Sequence, residues 1–328
     1  MTTRTALAVI CCTILLASGC DQTFSPKAEF LEQYVLQAFV QGDVGKAPMT
    51  MNALLAKTYN VDGFDPSVNT INPADTGAFV TVQVNARVDT LRQRFRKTAD
   101  SLRYGSLQPY YTGRMITPSP GELVYINAKL LNGRVLSAQT IIPLLRPVTS
   151  SYDYPHGVTT HGSFPVGVHS WTLSWASDQD PSGHLFFPRL QILYSRTVDT
   201  VEQTGSISVP MTLGGGNNPI YPSSTFETSC TFDFKAIDWA MAQLSDGDAQ
   251  KGNYGVHSLQ FEVLEYDAAL SKYYSSVNGS LDQFSIRTDQ SIYSNVGGGI
   301  GIFGSSFDNK YTYFLDLSYV TSFGYRYR

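Results

Sequence analysis

The chain is poor in cysteine and spends what it has early. Of its 4 Cys, only Cys230 lies beyond residue 20; the others are Cys11, Cys12 and Cys20. With one thiol in the body, no intramolecular disulfide can form there. An exported protein so built rests on its apolar core. Charge is scarce too: 15% of residues are Asp, Glu, Lys or Arg, and the net charge is −4. Nothing in that balance points to nucleic acid, which asks for a clustered basic face. Long apolar runs are lacking as well. The one at the N-terminus, from Thr5 to Ala17, falls short of the roughly 20 residues that span a bilayer.

That short run is informative in its setting. Arg4 supplies a positive start, and the apolar stretch closes on Leu16-Ala-Ser-Gly-Cys20. A charged start, an apolar middle and small residues at the end mark a secretory signal over residues 1–19. The Cys directly after Ala-Ser-Gly resembles the lipobox of bacterial lipoproteins. The resemblance implies that the Cys20 thiol takes lipid, with palmitate-type acylation, and becomes the mature N-terminus. Residues 20–30 then read as a tether. Cys230, in the alternating run Glu227-Thr-Ser-Cys-Thr-Phe-Asp-Phe234, reads as a small buried hydrophobe.

The remainder is rich in aromatics, 12% of residues with 20 Tyr, a composition that suits sheets. Strands are expected over 34–42, 48–57 and 78–88, with a Gly-, Pro- and Asn-rich loop at 61–77. Residues 89–103 hold Arg92, Arg94, Arg96 and Lys97 and fit either a basic amphipathic helix or a hairpin with exposed charges. Two alternating runs in 122–143 flank Asn132-Gly133, which predicts a hairpin with a type I′ turn. A linker follows near residues 144–157. Strands are expected at 169–178, 184–196, 205–213, 226–234 and 255–267, with short helices at 235–247 and 268–277.

Candidate chemistry is sparse. Gly299, Gly301 and Gly304 fall at G-x-G-x-x-G spacing. A dinucleotide cradle needs a helix directly after them. Residues 311–319 instead alternate Tyr and Leu with other residues, which predicts a strand, so the glycines are expected to serve the backbone at a turn or bulge. His156, His161, His169, His184 and His257 match no metal-ligand spacing. Asp178, Asp180 and Ser182 before Gly183 suggest a calcium loop, but Arg189 stands where the closing Glu belongs, and a tight turn accounts for them. Trp171 and Trp175 share a strand face and read as core rather than as a sugar platform. No catalytic motif, cofactor or metal is expected.

The run Tyr293-Ser-Asn-Val-Gly-Gly-Gly-Ile-Gly-Ile-Phe-Gly304 resembles the C-terminal signature of a Gram-negative lipoprotein family known as domain of unknown function 4249. The lipobox at Cys20 and the 122–143 hairpin are similar to that family's features. The resemblance implies a lipoprotein of the cell outer membrane, on its periplasmic or outer side, built of β-sandwich domains. It also implies an accessory role beside TonB-dependent outer-membrane receptors in nutrient uptake, and it carries no catalytic residues. Asp21 after Cys20 retains lipoproteins in the inner membrane of some bacteria, while the family favours the outer one. The expected fold is therefore mainly β, with an Ig-like or transthyretin-like domain over 31–146 and a fibronectin III-like sandwich with short helices over 147–328. The expected function is membrane-anchored binding. A surface glycan hydrolase and a structural or adhesive lipoprotein are the alternatives.

Overall fold

The computed structural model describes residues 30–45, 47–61, 65, 68–97, 107–151, 169–175, 183–278 and 293–328. The signal, the tether to Glu29, His156, His161 and Asp178 to Ser182 lie outside the described residues.

The chain is mainly β, with a large mixed sheet and few helices. In order come β1 (Tyr34–Gly42), β2 (Pro48–Lys57), β3 (Phe79–Val84), β4 (Arg87–Lys97), β5 (Leu107–Ile116), β6 (Leu123–Lys129), β7 (Val135–Ile141), β8 (Thr149–Ser150) and β9 (Ser170–Ser174). Then follow β10 (Leu185–Val198), β11 (Val201–Val209), β12 (Thr212–Leu213), β13 (Pro219–Ile220), β14 (Ser229–Asp233), α1 (Phe234–Gln243) and β15 (Tyr254–Tyr266). The chain closes with α2 (Ala268–Asn278), β16 (Ile300–Tyr313), α3 (Leu317–Ser322) and β17 (Arg326–Tyr327).

The main sheet runs β11-β10-β15-β16-β1-β2-β5-β4-β3-β6-β7. Strand β4 turns that path over on itself. Its residues up to Leu91 pair with β3, and those from Arg92 onward pair with β5. Gly113 of β5 sits at this changeover; a Cβ there would lie 2.9 Å from the Leu91 side chain and the Thr90 carbonyl. Two apolar cores result. One gathers Leu36, Val40, Met51, Val82, Tyr111 and Ile126 with others up to Ile142, together with Val296, Phe303 and Phe307 from far along the chain. The second gathers Trp171, Trp175, Phe186, Phe232, Phe261 and Tyr319 under a small sheet, β14-β9-β8, and α1. Strand β16 belongs to both. Phe303 and Phe307 enter the first core, while Tyr311 and Tyr313 pack against the second.

Several local expectations are corrected. The strand expected over 78–88 breaks at Asn85, whose φ of 53° lies in the left-handed region that Asn tolerates. The 122–143 hairpin forms, but not with a type I′ turn. The Gly133 N–H bonds the Leu130 carbonyl, the Leu130 N–H bonds the Arg134 carbonyl, and of the Asn132-Gly133 pair only Gly133 has positive φ. This is a type I turn followed by a left-handed glycine. The strand expected over 311–319 ends at Tyr313. Asp316 then accepts the Ser318 N–H and caps α3. The run 205–213 splits at Pro210 into β11 and β12, because proline has no ladder donor. Residues 87–97 form a strand, leaving no helix over that part of the basic segment.

Candidate functional site

The second core settles three sequence candidates. Trp171 and Trp175 are buried, and Trp171 Nε1 donates to Ser150 Oγ at 2.6 Å, so neither presents a ring to a sugar. Cys230 is buried, and burial pushes its thiol up to about 12, so it remains a protonated apolar filler. His169 is exposed and His257 half-buried. Among the described residues no three His, Cys, Asp or Glu side chains come together to hold a metal.

The glycine run packs against backbone. Ser294 Oγ accepts the Gly301 N–H at 3.0 Å, and the Asn295 amide both accepts the Phe303 N–H and donates to its carbonyl. The Ser-Asn pair thereby zips onto the start of β16 in place of a neighbouring strand. β16 runs parallel to β1, with Leu36 opposite Gly301. A Cβ on Gly301, at φ 127°, would fall 1.9 Å from the Leu36 carbonyl oxygen. On Gly299 it would meet the Tyr34 carbonyl at 2.4 Å, and on Gly304 the Leu270 Cβ at 2.6 Å. Only glycine lets β1, β7 and α2 approach so closely. No helix begins between Gly299 and Leu317, so the glycines do not lead into a helix N-terminus where phosphate would bind.

Gly304 leads to a place where buried polar groups converge. Its missing side chain also makes room for Asp267 Oδ1, which a Cβ would approach at 3.2 Å. Asp267 ends β15 and opens α2; its Oδ1 accepts the Leu270 N–H at 2.8 Å as a helix cap does. Its Oδ2 is bonded to Thr140 Oγ1 of β7. Thr140 Oγ1 also lies 2.9 Å from Ser305 Oγ, which donates to the Ile141 carbonyl at 2.8 Å. A hydroxyl has one proton, so Thr140 cannot donate to both neighbours. The set is fully satisfied when Asp267 is protonated and supplies the hydrogen shared with Thr140. Burial raises the Asp267 carboxyl above its usual range, against the opposing pull of its hydrogen bonds and His184, in agreement with that count.

Beside it stands a buried clamp. Arg146, in the connector after β7, donates through Nε and Nη2 to the two oxygens of Glu265 at 2.5 and 2.7 Å. His184 Nδ1 lies 2.5 Å from Glu265 Oε1. The Glu265 carboxylate only accepts, so His184 Nδ1 carries the hydrogen between them. Phe186 lies under the Arg146 guanidinium at 5.1 Å, and the Arg146 N–H bonds Asn309 Oδ1. The connector is thus fixed to β10, β15 and β16 together.

Thr140, Arg146, His184 and Asp267 line one open cleft of about 680 Å³ at the seam of the two cores. Ile141, Pro143, Leu144, Ala268 and Tyr293 give it mostly apolar walls. That size and makeup, apolar with a few convergent polar groups, suit a small amphipathic ligand. Among the described residues Asp267 is the only carboxylate on the wall, since Glu265 is fully enclosed by its partners. Of the lining residues the sequence pointed only to His184, among histidines that match no metal-ligand spacing, and to Tyr293, at the head of the glycine run. The one local signal is Asp267 immediately before a helical run, an N-cap pattern.

Scans against protein-family models and curated proteins find no match to this chain.

Proposed function

We propose that the chain is a lipid-anchored binding protein of the cell envelope, acting as an accessory to a TonB-dependent outer-membrane receptor in nutrient uptake. The observation that carries the reading is Leu16-Ala-Ser-Gly-Cys20 after a charged start and a short apolar run, with Cys230 the one Cys beyond it. The resemblance of the Tyr293–Gly304 run to a lipoprotein signature supports it. Among the described residues no helix is long and apolar enough to cross a membrane, so within them there is no competing helical anchor. The seam cleft supplies a place for a ligand. A glycan hydrolase would need two carboxylates about 5–10 Å apart across a cleft. Among the described residues Asp267 is the one carboxylate on the cleft wall.

The test is mass spectrometry of the mature protein from its native membrane. The expected N-terminus is Cys20 bearing acyl chains, absent in Cys20→Ala, and the receptor is expected to co-purify with the parent after mild solubilisation. A mature chain beginning elsewhere or free of lipid overturns the anchor. An acylated chain that never retains a receptor overturns the accessory role.

A further inference from the structure

We propose that the outer face of β2, β5 and β4 docks on an anionic membrane surface through a ladder of arginines. The choice of partner rests on the envelope reading above; the chemistry of the face does not. Side chains of a strand alternate between faces. On β4, Leu91 is buried, and Gln93 Oε1 accepts the Gly77 N–H, so these two point to one side. Arg92, Arg94 and Arg96 point to the other and are exposed. Successive members stand about 7 Å apart along the strand. Arg92 is opposite Thr112 of β5, and Arg114 lies two positions beyond Thr112 on that same face, itself exposed.

Nothing on these strands neutralises the ladder. The only acidic residue in β2, β4 and β5 is Asp89, and it is held by Arg87 through two hydrogen bonds of 3.0 and 3.1 Å. Among the described residues Arg92, Arg94, Arg96 and Arg114 form no ion pair. Like charges on neighbouring outward positions repel, so the free protein gains no stability from this arrangement. A surface of opposite charge does gain from it, and the remaining chain, being acidic overall, offers none of that attraction.

Two further observations favour a membrane over other polyanions. Apolar and aromatic side chains share the face: Tyr110 is opposite Arg94, and Leu54 and Phe39, the latter 65% exposed, stand on the adjoining β2 and β1. Cations interleaved with such side chains match the headgroup region of a bilayer. The second observation is topological. Arg96 is beside the start of β5, and the antiparallel neighbours β5, β2 and β1 place Lys57 and Tyr34 at that same end. The segment leading back to Cys20 therefore joins the body where the ladder ends.

The test uses the chain from residue 20 with Cys20→Ala, since every element among the described residues lies beyond residue 30. It is sedimented with vesicles of phosphatidylcholine alone and with vesicles holding roughly one third phosphatidylglycerol. Binding is expected to the anionic vesicles only, and to fall as salt rises. The Arg92→Gln, Arg94→Gln, Arg96→Gln variant is expected to lose on the order of a hundredfold in partitioning, about fivefold per charge. The corresponding Lys variant should keep most of the binding. A variant equal in net charge, with Lys235→Gln, Lys251→Gln and Lys272→Gln, should bind as the parent does. Unchanged thermal unfolding of each variant shows that the fold is intact. The proposal is overturned if the parent ignores anionic vesicles, if the ladder variant binds as well as the parent, or if the control variant loses as much. Tighter binding to a DNA duplex or an acidic polysaccharide than to vesicles overturns it in favour of those polyanions. Acylation plays no part in these measurements, so their failure and that of the anchor are read separately.

Discussion

Arg146 and Glu265 meet through two parallel N–H···O bonds with side-chain exposures of 3% and 0%, and this pair ties the connector after the first core to β15 of the second. Bidentate geometry and His184 on the same carboxylate compensate part of the cost of burying the charges. Removing one member leaves the other buried without the partner that forms the two parallel bonds. Arg146→Met or Glu265→Gln is therefore expected to cost about 3–5 kcal/mol in denaturant unfolding. The double variant Arg146→Met, Glu265→Leu should cost less than the two singles summed, because no lone charge remains. Single-variant losses under about 1 kcal/mol would show that the clamp contributes little.

Asp267 gives stability a pH dependence of defined sign. Its folded value is raised by burial, so between the ordinary carboxyl value of about 3.9 and the raised one the folded chain binds the extra proton. The contribution is complete below the ordinary value and is lost as pH rises through the folded one. In Asp267→Asn the amide can donate to Thr140 and accept from Leu270 at any pH. That variant is expected to match the parent near pH 4 and to exceed it at pH 7, as read from unfolding midpoints. Asp75 and Asp308 are raised by burial too, so the parent-minus-variant difference is the quantity that isolates Asp267. A difference that does not change with pH would show that Asp267 is ionised in the fold.

The glycines of the C-terminal run should divide by what surrounds them. Gly301→Ala combines a positive φ with a collision against the Leu36 backbone, and should cost on the order of 3 kcal/mol or more, or prevent folding. Gly304→Ala pushes α2 away from β16 and should also disturb Asp267. Gly133→Ala meets nothing within 4 Å and bears only the cost of its φ of 83°, about 1 kcal/mol. Soluble yield and thermal unfolding measure the series. Equal tolerance of Gly301→Ala and Gly133→Ala would refute the close approach of β1 and β16.

Much of the fold was legible because alternation is local. The expected boundaries of β1 and β2 are those observed, and the hairpin of β6 and β7, β15 and both of the expected helices lie where the pattern put them. The misses have local causes as well. One residue in a left-handed conformation splits 78–88, and an aspartate cap starts a helix where Tyr and Leu still alternate. The basic segment at 89–103 was ambiguous because its apolar residues fit both periods. Pairing with β3 and β5 makes its residues up to Lys97 a strand, residues 98–103 lying outside the described residues, and that puts Arg92, Arg94 and Arg96 on one face rather than around a helix.

The candidate site was almost invisible for a different reason. Thr140 and Asp267 are 127 positions apart, Arg146 and Glu265 are 119 apart, and His184 reaches Glu265 across 81. By itself the sequence determined the sheet-rich class and most strands, since residue type and short spacing govern these. Only the tertiary structure decided that β16 is shared by two cores, that glycine was required where its backbone meets β1, and that a buried acid and an arginine clamp share one cleft. Those outcomes depend on long-range strand pairing and on burial, which change both the neighbours and the protonation of a side chain without leaving a mark in the residues beside it.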